Sequence, residues 1–77
     1  MTASDRRAVL LLSHGSRDPR AEFVVDELVS AVAASTGSTV RAAHLEFTSP
    51  TPVVALRQLA AEGFGSVRLV PLLFTPG

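Results

Sequence analysis

Seventy-seven residues without a cysteine make one small domain, residues 1–77, that no disulfide can staple. Hydrophobic residues make up 47 % of the chain, more than so short a sequence is expected to hide by itself, which implies contact with another copy, a partner or a further segment. Seven arginines balance seven acidic residues, and there is neither a basic run nor any tryptophan or tyrosine, which excludes a nucleic-acid-binding module.

No apolar run approaches the roughly 18 residues needed to span a bilayer, and the N-terminal segment leads into too few apolar residues for a signal peptide. The expected location is therefore the cytoplasm. Ala8–Ser13 is an apolar run without alternation, the pattern of a strand buried on both faces of a parallel sheet. His14-Gly15-Ser16-Arg17 is the turn out of it. Asp18-Pro19 then reads as an N-cap followed by a first helical residue. Val24, Leu28, Ala31, Val32 and Ser35 fall on one stripe of the helix that follows, and Gly37 closes it.

Ser38–Glu46 is the second expected strand, in which alternation puts His44 and Glu46 on one face. Thr51-Pro52 repeats the cap-and-proline start, and Val53, Leu56, Leu59 and Ala60 give the stripe of a short helix that ends at Gly63-Phe64-Gly65. Ser66–Phe74 is the third strand. Its Pro71 has no amide to give to a ladder, which implies a bend, a bulge or a stretch with one unpaired side. The order βαβαβ with crossovers of this length predicts an α/β fold: a three-layer, doubly wound parallel sheet of strand order 2-1-3. Such sheets bind ligands beyond the carboxyl ends of their strands, here His14, Glu46 and Thr75–Gly77.

Three groups at that edge carry chemistry. A histidine at a strand end before a glycine either hydrogen-bonds its own turn or serves as metal ligand or general base. Glu46 is either solvated at the rim or bound to a cation. With His14 it offers one nitrogen and one oxygen to a divalent transition metal. His44 is a candidate third ligand by parity, but the reading preferred for it is burial deeper in the sheet or packing beneath a helix. Ser13, Ser16, Arg17 and Arg20 cluster around the first helix N-terminus, where anions are favoured, although a solvated turn accounts for them equally well. Ser13 and His14 are not a catalytic dyad, because adjacent strand residues point to opposite faces. A phosphohistidine site would place an arginine before the histidine, where this chain has Ser13, and no phosphate-binding loop is present.

Three blocks in order, Leu-Leu-Ser-His-Gly-Ser-Arg-Asp-Pro-Arg-Ala, His-Leu-Glu-Phe-Thr-Ser-Pro-Thr-Pro and Val-Arg-Leu-Val-Pro-Leu-Leu-Phe-Thr-Pro-Gly, resemble the CbiX-type sirohydrochlorin chelatases. The resemblance implies ATP-independent insertion of Co²⁺ or Fe²⁺ (Ni²⁺ is also compatible) into sirohydrochlorin for cobalamin or sirohaem, with the metal as substrate and no organic cofactor. It implies that His14 and Glu46 hold the metal and take part in catalysis, and that Ser13, Ser16 and Arg17 meet the tetrapyrrole. It also implies a homodimer as the oligomeric state. A second family histidine normally follows the third strand, and the sequence stops at Gly77 before it. The chain is therefore expected to be the N-terminal part of such a domain, its metal site incomplete when alone. The alternative function is a non-catalytic metal or tetrapyrrole carrier.

Overall fold

The computed structural model describes residues 6–72. Five elements follow one another: β1 (Arg7–Ser13), α1 (Pro19–Thr36), β2 (Thr39–His44), α2 (Pro52–Ala61) and β3 (Ser66–Pro71). The strands form one parallel sheet in the order β2-β1-β3, the order expected from the sequence. Register runs from Ala8 opposite Thr39 to Ser13 opposite His44 on one side of β1, and from Arg7 opposite Ser66 to Leu12 opposite Pro71 on the other.

The two helices cover opposite faces, as right-handed crossovers leading to opposite sides of β1 require. On one face Leu10, Ala43 and Ala55 form the core, with Leu12, Leu56 and Val67 packed against it. Alanines at both Ala43 and Ala55 let α2 lie close to the sheet. Strand parity puts Leu11 and Val40, both buried, on the other face, where α1 lies along β2 with Val25 as its buried residue. Leu10 and Leu59 are completely buried, each contributing about 1.5–3 kcal/mol of apolar transfer.

Both predicted helix stripes hold in part: Leu28 and Val32 of α1 and Leu56 and Leu59 of α2 are covered, and the remaining positions are rotated toward a neighbouring face. Along α1 the covered positions are Val25, Leu28, Val29, Val32 and Ala33, whereas Val24, Ala31 and Ser35 are exposed. Apolar residues occupy most of the circumference of α1, so two stripes satisfy the helical period equally and tertiary packing chooses between them. In α2 Ala55 and Leu59 are buried while Val53 and Ala60 face out. The starts and stops are as read: Asp18 caps α1, Thr51 caps α2, and Gly37, at φ +71°, closes α1 by donating to the Ala33 carbonyl.

Pro71 fits because β3 has no neighbour on its outer side among the described residues. The Leu72 amide donates to the Leu12 carbonyl at 2.7 Å, so the intervening Pro71 turns its missing amide to the open side. The expected extension of β3 to Phe74 and the Thr75–Gly77 turn lie outside the described residues. β2 stops at His44, two residues before the predicted Glu46. Leu45 and Glu46 donate to the successive carbonyls of Ser13 and His14, both at 3.0 Å, and consecutive amides aimed at one neighbour break strand alternation. Parity from His44 therefore does not carry to Glu46. No helix of the described residues is long and apolar enough to cross a membrane.

Candidate metal site at the carboxyl edge of the sheet

His14 is the first residue past β1, and Glu46 lies two residues past β2. The hydrogen bonds from Leu45 to Ser13 and from Glu46 to His14 hold the two loop backbones together. Gly15 permits this approach. Its φ is +97°, and a Cβ there would stand 1.8 Å from the Glu46 carbonyl oxygen. His14 Nε2 comes to 3.4 Å from Glu46 Oε2, with side chains 74 % and 56 % exposed, so both are open to an incoming ligand. Two donors each about 2.1 Å from one divalent ion at a tetrahedral angle stand about 3.4 Å apart. The observed separation matches two ligands of a single coordination shell, and equally a direct imidazole–carboxylate contact.

The neighbouring side chains mostly shape this loop pair. Ser13 is buried, and its Oγ accepts from the Gly15 amide at 3.1 Å, fixing the turn behind His14. Ser16 Oγ accepts from the Asp18 amide at 3.0 Å, and the Ser16 carbonyl accepts from Thr48 Oγ1 at 3.3 Å, a second tie between the loops. Arg20 is occupied by Asp18, with Nη2 to Oδ2 at 2.9 Å. Hydrogen bonds from the Arg20 side chain and amide hold the Asp18 carboxyl below its usual range. Arg17 has no carboxylate partner among the described residues; its guanidinium lies 4.7 Å from the centroid of the Phe47 ring.

His44 does not join the pair. It is 4 % exposed, stands opposite Ser13 in the sheet, and donates its amide to the Pro50 carbonyl, in line with the reading as a histidine packed under a helix. Among the described residues no group of three histidine or carboxylate side chains could hold a metal ion. Phe47 was not singled out from sequence. The available signal was a lone aromatic residue directly after Glu46, in a loop otherwise built from Thr, Ser and Pro. A concavity of about 620 Å³ lies at the amino ends of the strands, among residues that include Arg7, Ser38 and Arg68, and no histidine or carboxylate lines it. Among the described residues the imidazole–carboxylate contact lies at the opposite edge.

Fold and site together define a parallel α/β domain that presents an exposed imidazole–carboxylate pair at its carboxyl edge. The CbiX family model matches residues 8–77, and the chain belongs to the CbiX family. Among solved structures it is similar to one described as a cobalamin (vitamin B12) biosynthesis CbiX protein from Marinobacter aquaeolei VT8, with a TM-score of 0.75 and 24 % sequence identity. That similarity covers 92 % of this chain and spans 58 % of the neighbour's length. No curated protein matches the sequence.

Proposed function

We propose that this chain serves metal insertion into a tetrapyrrole: ATP-independent chelation of Co²⁺ or Fe²⁺ by sirohydrochlorin, for cobalamin or sirohaem. Membership of the CbiX family and the cobalamin-biosynthesis description of the structural neighbour support the reaction class. The observation that carries the reading to residues is the 3.4 Å approach of His14 Nε2 to Glu46 Oε2 on an open edge. The divalent ion is a substrate, and neutral imidazole with carboxylate suits a borderline transition metal.

Insertion exchanges two pyrrole N–H protons for one metal ion, so the site has two tasks. It presents the ion partly stripped of water, and it accepts protons as the metal–nitrogen bonds form. His14 and Glu46 present the ion, and each becomes a proton acceptor when the ion leaves for the macrocycle. Ser16 and Arg17 lie on the rim, where carboxylates of the substrate arrive, while Ser13 acts from beneath through the turn.

The test is cobalt insertion into sirohydrochlorin without ATP, followed by the change in visible absorbance. Wild type should exceed the uncatalysed rate, and His14→Ala and Glu46→Gln should each lower the gain by about 100-fold or more. A wild-type rate equal to background sinks the enzymatic reading. Cobalt or sirohydrochlorin affinity persisting in that case would identify a carrier.

A further inference from the structure

Seven large apolar residues are exposed among the described residues, and six of them lie toward one end of the molecule. Phe23 and Val24 belong to the first turns of α1, Val53 and Val54 to the first turn of α2, and Leu45 and Phe47 to the loop after β2. Parallel strands with helical crossovers place all three segments at the carboxyl edge, around His14 and Glu46. Leu69 alone lies elsewhere. An apolar rim around two polar ligands suits a large, flat, partly apolar molecule better than a hydrated ion alone.

Phe47 stands apart within this rim. It is 59 % exposed and has a φ of +68°, a conformation seldom adopted by a bulky side chain. The Thr48 amide donates to the Glu46 carbonyl at 2.8 Å and Thr48 Oγ1 to the Ser16 carbonyl, so the backbone is pinned on the C-terminal side of the ring. Arg17, which lacks a carboxylate partner among the described residues, lies over the ring and leaves much of it open to solvent. An exposed aromatic ring on a hydrogen-bonded turn, with a guanidinium over it that has no carboxylate partner among the described residues, matches a planar π-system that bears carboxylates.

We propose that Phe47 and the Arg17 stacked on it form the recognition platform for the macrocycle. The Phe47 ring meets the plane of a carboxylate-bearing tetrapyrrole, and the Arg17 guanidinium meets one of its carboxylates beside the His14–Glu46 pair. This rests on the chelatase reading and adds a specificity-determining residue, Phe47, that takes no part in holding metal. Phe64, which carries Arg6 over its ring at 4.2 Å, precedes β3 at the opposite edge and serves as an internal control.

The experiment titrates metal-free uroporphyrin, a planar octacarboxylate, into the protein by fluorescence, with Co²⁺ binding measured separately. Phe47→Ala should weaken porphyrin binding by about 10-fold, and Phe47→Trp should restore it to within about twofold. Arg17→Gln should weaken it by about fivefold at low salt, and by less as salt rises. Co²⁺ affinity should be unchanged in all three, and Phe64→Leu should leave porphyrin affinity unchanged. Wild-type porphyrin affinity in Phe47→Ala, with cobalt insertion intact in the parent protein, overturns the platform and leaves the function standing. Parallel loss of porphyrin and Co²⁺ binding in Phe47→Ala also overturns it, by showing that the ring merely shapes the loop. A wild type that binds Co²⁺ but neither uroporphyrin nor sirohydrochlorin overturns the chelatase reading and the platform with it.

Discussion

Gly15 governs the geometry of the His14–Glu46 pair although it contributes no side chain to it. Its backbone touches that of Glu46, and any side chain at this position would enter the Glu46 carbonyl, its Cβ only 1.8 Å from the oxygen. The positive φ adds a second penalty for an L-residue. Gly15→Ala should therefore either push the β2–α2 loop away from β1 or destabilise the fold by about 2 kcal/mol or more. The two effects separate in measurement. Denaturation gives the stability loss, and a fall in Co²⁺ affinity larger than expected from the unfolded fraction reports displacement of Glu46 from His14. Unchanged stability and unchanged affinity would show that the two loops are not held as described. At this scale the sequence singled out the two side chains that the structure brings together, His14 and Glu46, because His-Gly at a strand end and a carboxylate after a mostly apolar strand are both chemically conspicuous. It did not reveal that the glycine accommodates backbone rather than ligand, since that contact lies between loops 31 residues apart in sequence. The burial of His44 was legible, but the failure of its assignment to the same face as Glu46 was not. Parity works only while strand alternation lasts, and the consecutive amides of Leu45 and Glu46 end it.

The helices show which parts of an element are decided locally. Caps are local: Asp18 and Thr51 accept amides from residues two and three positions ahead, and both were readable from adjacent residues. Stripes are not local in a helix with excess apolar residues, and the buried faces turned out to centre on Val25 and on Ala55 with Leu59. This distinction has a measurable consequence in α2. Leu59→Ala should cost about 2–5 kcal/mol, whereas Val53→Ala, at a position that is 57 % exposed, should change stability by less than about 0.5 kcal/mol. Comparable losses at the two positions would contradict the orientation of the helix. The far end of α2 is tied to β2 by Arg41, whose Nη2 donates to Glu62 Oε1 at 2.6 Å while Nη1 reaches Oε2. The hydrogen bonds from Arg41 hold the Glu62 carboxyl below its usual range. A carboxylate with a lowered folded-state pKa stabilises the fold above its unfolded pKa of about 4.3, and that contribution disappears as pH falls through the lower folded value. Glu62→Gln should accordingly reduce the acid-side loss of stability below about pH 4 while leaving its slope between pH 6 and 8 unchanged. Thermal midpoints measured across pH for the two proteins decide it.

For the whole molecule, the decisive feature is the asymmetry of the sheet. β1 is paired on both sides and buried, and β2 and β3 each have an outer edge with no partner among the described residues, but β2 is packed by both helices whereas β3 is mostly exposed. The hydrogen bond from Leu72 to Leu12 fixes the parity of β3, so that the amides of Arg68 and Val70 point toward β1 while those of Val67 and Leu69 point outward. Arg68 and Pro71 are the kinds of residue that discourage further pairing, yet Leu69 is 48 % exposed beside them. These facts make an amide-exchange pattern that separates two descriptions of the molecule. If the chain is monomeric at the concentration used, β1 amides should exchange slowest, Arg68 and Val70 should be intermediate, and Val67 and Leu69 should exchange nearly as fast as an unstructured chain. If a second copy adds to this edge, as the expected homodimer would allow, Val67 and Leu69 should become protected, and their protection should rise with protein concentration. Sedimentation over the same range should then show the heavier species appear in step. Protection of Val67 and Leu69 that does not vary with concentration fits neither description, and would mean that the outer edge of β3 is already paired within a single chain.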